Sequence, residues 1–367
     1  MIENERAWAL INLDNIRHNY LQIKKIALTE VMPIIKADAY GHGSFEVAKA
    51  LSDIGAKYFG VATCEEAISL KNIGAEILIL GFTPEKKLQD VIANGLEQTV
   101  YDFETAKKLS DIATKLNRQA RIHIKIDTGM HRLGFEAAPE TIDTIQKINC
   151  LPNLVVTGIF SHFAQSDIEN DQFTYEQYEK FNYIVKNLSG MKIIRHISNS
   201  SAIINYPQFK MDMVRTGLML YGISPFEKNI LDLKPAMSLR SQIAAIKEIN
   251  FGESVSYNRK FTADSKTKIG IIPIGYADGY PRACSNSANV IINGRYAPII
   301  GNICMDYLMI NLNSIDAKIG DEVILIGQYE NLTISATDIA KLNKTIAYEI
   351  ITSIGKRIPR YYVHDTF

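Results

Sequence analysis

The sequence predicts an α/β chain, with an N-terminal (β/α)8 barrel over residues 1–235 and a C-terminal, mainly antiparallel β domain over residues 236–367. Three observations carry this expectation. Eight short, β-branched runs alternate with helix-patterned segments between residues 31 and 217, the count of a closed barrel with a helix after each strand. Past residue 235 the pattern changes to short alternating strands separated by turn residues. Within that second region Asn293-Gly294 is a strong two-residue hairpin signal.

The eight runs are VMPIIK (31–36), KYFGVAT (57–63), EILILGF (76–82), EQTVYD (97–102), RIHIKID (121–127), LVVTGIFSH (154–162), MKIIRHIS (191–198) and MDMVRTG (211–217). Between them, FEVAKALSDIG (45–55), CEEAISLKNIG (64–74) and FETAKKLSDIATKL (103–116) carry apolar residues at spacings of three and four, the period of a helix with one buried face. The first two end in glycine, a helix stop. LDLKPAM (231–237) is the expected join. Beyond it, segments 239–249, 255–263, 267–278, 288–304, 307–312 and 321–327 alternate as strands of the β domain.

Composition narrows the function classes. Hydrophobic residues make up 47% of the 367, ample for packed interiors. Lys and Arg number 40 against 40 Asp and Glu, so nothing points to nucleic acid or to a like-charge arm. Cys64, Cys150, Cys284 and Cys304 are scattered without paired spacing, which argues against structural zinc and against a disulfide framework. The first twenty residues are charged and lack the apolar core of a signal peptide, and no run of 18 apolar residues appears. A cytoplasmic, soluble protein is the expectation.

The stretch PIIKADAYGHG (33–43) places a lone ammonium, Lys36, at the end of an apolar run. Active residues of such barrels gather at the C-terminal ends of the strands. Lys125–Arg132, Ser161-His162, Arg195-His196 with Ser198–Ser200, and Arg215–Gly217 stand at later strand ends and would share one mouth with Lys36. Taken singly, each reads as a solvated loop residue or a cap; together they read as a site. There is no HExxH, the histidines 123, 131, 162 and 196 are spread over three strands, and GxSxG is absent. No metal is expected. An imine-forming lysine, its pKa lowered by burial, fits the set better.

At this point the chain resembles the alanine racemase family. The resemblance rests on RAWALINLDNIRHNY (6–20), IKADAYGHG (35–43), KIDTGMHRLGF (125–135), GIFSHFA (158–164), HISNSSA (196–202), MVRTGLMLYG (213–222), SVSYNRKFTA (254–263), IGYADGYPR (274–282), GNICMD (301–306) and KRIPR (356–360), in order along nearly the whole chain. It implies pyridoxal 5'-phosphate as cofactor and Lys36 as the lysine that holds it. Tyr40, Ser200 and the backbone around Gly217 and Leu218 would meet the phosphate, with Asn199 and His162 beside the cofactor and Arg215 facing its ring nitrogen. Arg132 would place the substrate carboxylate, held by Lys125 if that lysine is carbamylated. Tyr257 would be the second base and Met305 a backbone contact to substrate, with Cys304 and Asp306 alongside and Tyr276 narrowing the entrance. In the family Tyr257 and Met305 reach the other subunit's barrel, so the resemblance implies a homodimer with composite sites that supplies D-alanine for peptidoglycan.

Chemistry agrees with these roles. Racemisation removes a proton from one face of a carbon and returns one on the other, so two bases on opposite faces suffice. A phenol is protonated at neutral pH and needs help to act as a base; a Tyr257–His162–Arg215 chain would give it. Arginine stays protonated and gives up no proton to a ring nitrogen, which weakens the electron sink and restrains transamination. On residues alone, Tyr257 reads as strand packing, Arg132 and Arg215 as surface ion pairs, and Met305 as core filler. The chain departs from some relatives near KRIPR, where Lys356 stands in place of a tyrosine. Alanine is the expected substrate, with serine or broader specificity as the alternative. A decarboxylase of the same fold is opposed by Arg215. A non-catalytic cofactor-binding barrel is opposed by the β domain and Tyr257.

Overall fold

The computed structural model describes residues 5–226 and 230–364. The chain forms two compact units. One comprises Ile16–Ala39 and Ser44–Leu233; the other runs from Lys234 onward and takes in the segment ending at Asn15 together with Tyr40–Gly43. The units thus interleave along the chain, where the sequence reading draws a single line at 235/236.

The strands, in order, are β1 (Ala7–Asn12), β2 (Glu30–Pro33), β3 (Tyr58–Val61), β4 (Glu76–Ile79), β5 (Glu97–Val100), β6 (Ala120–Asp127), β7 (Leu154–Phe160), β8 (Ile194–His196) and β9 (Met213–Thr216). Strands β3 to β8 form one parallel ladder in chain order, and β9 pairs β2 in parallel. The Ile34–Gly60 bridge joins β2 to β3, and the bonds Asp212 N–Arg195 O (3.1 Å) and Arg215 N–Ser198 O (3.0 Å) join β9 to β8. The eight predicted barrel strands are therefore all present and close into a ring. Their β-branched residues are inside: Val31, Val61, Ile79, Val100, Ile122, Ile124 and Ile159 are fully buried.

The helices between the strands begin at side-chain caps. Asp102 accepts from Thr105 N (2.7 Å) and Asp171 from Thr174 N (2.7 Å), each cap contributing about 1 kcal/mol. Ala106, Leu109 and Ala113 supply the buried stripe of Phe103–Lys115. The helix expected over 64–74 is only Cys64–Ser69. It stops at Leu70, whose backbone leaves the helical region (φ −108°, ψ 2°), and Gly74 turns the chain farther on with a left-handed φ of 79°.

The other unit is mostly antiparallel. Its main sheet runs Arg295–Pro298, Asn289–Ile292, Glu322–Tyr329, Met237–Gln242, β1, Arg360–Val363, and only the last pairing is parallel. Asn293 (φ 46°) and Gly294 (φ 70°) make the expected two-residue hairpin. Ala245–Ile249, Thr267–Ile272 and Leu308–Asn311 form a second antiparallel sheet. No helix among the described residues is long and apolar enough to cross a membrane.

Candidate active site

Lys36 does not end the first barrel strand. That strand stops at Pro33, and Lys36–Gly41 form one helical turn. The turn is left-handed: Ala37, Asp38, Ala39 and Tyr40 have φ of 50–53° and Gly41 has 82°. Such a conformation costs L-residues about 1–2 kcal/mol each. Carboxylates hold its ends. Glu66 accepts from Ala37 N (2.7 Å) and also from Ala62 N (2.7 Å), while Asp38 accepts from Ser44 N (2.7 Å). The amine of half-buried Lys36 is pushed below the ordinary lysine value by burial first and by the Arg132 charge second, with Glu66 opposing. That shift makes it easier for this amine to lose its proton and act as nucleophile or base.

Arg215, on β9, is buried. Its guanidinium donates to Ser161 O (2.8 Å), Ile197 O (2.9 Å), His162 Nδ1 (3.1 Å) and His196 Nδ1 (2.8 Å). Burial, then the Arg132 charge, pushes it down to about 9, so it remains a cation at neutral pH. Both histidines are held well below their ordinary value, by burial first and Arg215 next, and are neutral acceptors.

Lys125, on β6, is 6% exposed, with Nζ 5.1 Å from the centre of the Phe160 ring. Burial, then Arg215 and Arg132, pushes it down to about 7 against the pull of Asp127. The loop after β6 winds around Asp127, whose carboxylate accepts from Gly129 N (2.8 Å), His131 N (3.1 Å) and Arg132 N (3.1 Å). This fixes the backbone of Arg132 and leaves its side chain exposed.

Asn199 caps the helix Ser200–Asn205 through Ala202 N (3.0 Å), and Ser200 Oγ accepts from Gly217 N (3.0 Å), the residue before the 3-10 turn Leu218–Tyr221. Two helical N-termini thus lie side by side at Ser200 and Leu218, and their N–H groups suit a phosphate. With the amine of Lys36 and a guanidinium that has no carboxylate among its direct partners, the donor set fits a phosphate-bearing aldehyde.

The remaining expected residues lie in the other unit. Tyr40 is buried with its ring 5.7 Å from that of Tyr348. Burial, then Tyr348, holds its hydroxyl well above the ordinary value, so it stays a donor. Tyr257 is 69% exposed and Met305 53%. Ser256 Oγ meets Cys304 Sγ (3.3 Å), and Tyr276 N donates to Cys304 O (3.1 Å), which brings Tyr257, Tyr276, Cys304 and Met305 onto one edge. Asp306 pairs with Arg357 at 2.7 Å. Lys356 is exposed.

Sequence reasoning missed Glu66 and gave Asp127, within the Lys125–Arg132 stretch, no role of its own. Glu66 was readable, because Thr63-Cys-Glu-Glu66 is a capping-box pattern. Asp127 gives no such local signal, since its role depends on how the following loop folds back.

A family profile described as alanine racemase, N-terminal domain, matches residues 11–225, and one described as alanine racemase, C-terminal domain, matches residues 236–362. Alanine racemase 1 of Clostridium acetobutylicum is 43% identical, covering 98% of this chain and 95% of its own length. The alanine racemase of Clostridium tetani is 44% identical over the same shares. Among solved structures, alanine racemase of Clostridium difficile 630 has a TM-score of 0.94 at 40% identity, covering 99% of this chain and 97% of that one. That of Bartonella henselae, solved with covalently bound pyridoxal phosphate, has a TM-score of 0.88 at 30% identity, covering 98% and 100%.

Proposed function

This chain belongs to the alanine racemase family, and from that premise we propose which of its residues do the work. It is a pyridoxal-phosphate enzyme that interconverts L-alanine and D-alanine. The D-alanine serves peptidoglycan synthesis in the cytoplasm. When bound, pyridoxal phosphate supplies the electron sink that acidifies the proton on the α-carbon.

Lys36 would hold the cofactor, and its amine, when free, would take or return the α-proton on one face. Tyr257, from the second subunit of a homodimer, does so on the other. Its exposure and that of Met305 support a surface completed by a partner. Arg132 holds the substrate carboxylate near the α-carbon. Met305 adds a backbone contact, flanked by Cys304 and Asp306, and Tyr276 narrows the entrance. Tyr40, Ser200, Gly217 and Leu218 bind phosphate through neutral donors, with Asn199 fixing the helix start. Arg215 would offer an N–H to the ring nitrogen, and His162, which accepts from Arg215, would present its other nitrogen to Tyr257. Lys125, with an amine near neutrality at pH 7, is suited to take up carbon dioxide as a carbamate and so hold Arg132 by charge.

The observation that carries this reading is Arg215. A buried guanidinium with two neutral imidazoles and two carbonyls as partners suits a neutral, aromatic acceptor and no metal or acid. The test is chiral chromatography of the holoenzyme offered L-alanine and L-serine separately, beside Lys36→Ala. Fast alanine conversion, slow serine, and loss of both turnover and cofactor absorbance in the variant are expected. Serine equal to alanine would overturn the substrate, and an active Lys36→Ala would overturn the site.

A further inference from the structure

The barrel unit buries two cations, Lys125 and Arg215, and among its described residues a single carboxylate of comparable burial, Glu97. Glu97 opens β5, at the end of the barrel opposite the strand ends that carry Lys36 and Arg215. A continuous file of side chains connects it to Arg215. Arg215 Nη1 donates to His196 Nδ1 at 2.8 Å, His196 Nε2 lies 2.9 Å from His123 Nδ1, and His123 Nε2 lies 3.1 Å from Glu97 Oε2. The last two atoms are buried and have no hydrogen-bond partner, so this link is a close contact of ring and carboxylate. Beyond them Arg121 pairs with Glu97 at 2.8 Å and with Glu76 at 2.6 Å, near the barrel's other rim.

Chemistry gives the file one direction. A guanidinium only donates, so His196 Nδ1 must accept and its proton sits on Nε2. That proton points at His123 Nδ1, which must accept, placing the second proton on His123 Nε2, facing the carboxylate. Each imidazole is thereby set in one tautomer, and the negative charge at the far end makes each nearer nitrogen a better acceptor.

The backbone makes room for this file. The β6–β7 ladder shifts register between Ile122 and His123, so that His123 faces Gly158. A β-carbon on Gly158 would lie 2.3 Å from His123 Cε1, so the ring occupies space that any other residue would fill. His196 is stacked on Phe160 with centroids 4.8 Å apart and planes 3° apart. A bulge, a glycine and a stacked ring fix two histidines that no role in the site so far requires.

We propose that Glu97 and His123 are positioning residues for the racemisation: the Glu97 carboxylate, relayed through His123 and His196, is the remote counter-charge of Arg215 and fixes how that guanidinium presents its remaining N–H groups. This rests on the reading that Arg215 faces the ring nitrogen of the cofactor. Glu97 and His123 act through His196 and touch neither substrate nor cofactor.

The first test needs no cofactor. In 15N-labelled apoenzyme, ring NMR of His196 and His123 is expected to show neutral rings with the proton on Nε2 in both. A proton on Nδ1 of either ring overturns the relay, and this measurement on the unaltered chain decides the matter even where a variant fails to fold. The second test compares holoenzyme variants. Arg215→Lys is expected to shift the cofactor's visible absorbance. Glu97→Gln and His123→Phe are expected to shift it in the same direction and to lower kcat about 10–100-fold, as loss of a group that orients a site residue does, with KM for alanine nearly unchanged. The Glu97→Gln/His123→Phe pair is expected to lose no more than the worse single variant, because both break one chain. Additive losses with unmoved absorbance overturn the proposal in favour of plain destabilisation. A shift with Arg215→Lys but none with Glu97→Gln overturns the relay alone, whereas no shift with Arg215→Lys overturns the placement of Arg215 and the proposal with it.

Discussion

Replacing Lys125 by methionine is expected to remove a pH dependence of stability that the wild-type chain carries. The folded Lys125 amine sits at about 7 where the ordinary value is 10.5, and at about 1.4 kcal/mol per tenfold change in proton affinity that displacement corresponds to roughly 5 kcal/mol. The sign follows from which state holds the proton. Between about 7 and 10.5 the unfolded chain keeps Lys125 protonated and the folded chain does not, so stability rises with pH through that window and is flat below it. From pH 7 to pH 9 the gain from this one group is about 2 kcal/mol. Methionine has similar length, keeps contact with the Phe160 ring and does not titrate. The assay is urea unfolding of apoenzyme at pH 7, 8 and 9 in buffer stripped of carbon dioxide, at matched protein concentration. The difference between wild type and Lys125→Met should move by about 2 kcal/mol in favour of wild type as pH rises. Parallel curves would refute the burial argument. Bicarbonate added near neutral pH should stabilise the wild type and leave Lys125→Met unchanged, because a carbamate replaces a buried cation beside Arg132 and Arg215 with an anion.

Three further outcomes are expected. Tyr257→Phe should slow proton removal from L-alanine more than from D-alanine, read by solvent deuterium incorporation in each direction; equal loss would remove the assignment of faces. Glu66→Gln should destabilise the apoenzyme by about 1–3 kcal/mol in urea, since it weakens charge-assisted bonds to Ala37 N and Ala62 N. Gly158→Ala should cost a similar 1–3 kcal/mol through overpacking against His123, and a loss under about 0.5 kcal/mol would show that the ring yields freely.

Much of the barrel was legible because its signals are local. Val31, Val61, Ile79 and Val100 mark strands that end near turn residues, and Asn293-Gly294 specifies its hairpin by conformation alone. Lys36, Arg132, His162 and Arg215 stood out because polar residues at successive strand ends converge once the strands close. The left-handed turn at Ala37–Tyr40 was not legible, because neither alanine nor tyrosine favours that conformation and Glu66 imposes it from the next unit of the barrel. Glu97 was equally silent: a glutamate opening a strand reads as solvated until the register of β6 against β7 brings His123 toward it. Nor did β1 announce that its partners are Met237–Gln242 and Arg360–Val363, since pairing across such a separation leaves no periodic trace.

That pairing of β1 sets an order on biosynthesis. Ile11 pairs with Met237, so about 225 residues must be made before β1 meets its first neighbour, and its second, Arg360–Val363, comes about 120 residues later. At about 5–20 residues per second the ribosome needs roughly 10–45 s for that stretch. Through this interval an apolar hexapeptide, Ala-Trp-Ala-Leu-Ile-Asn, waits with both edges open while the barrel behind it can already close. Residues 7–12 therefore stay unpaired until Met237–Gln242 has been made, an exposed apolar strand that a hydrophobic-segment chaperone is expected to cover.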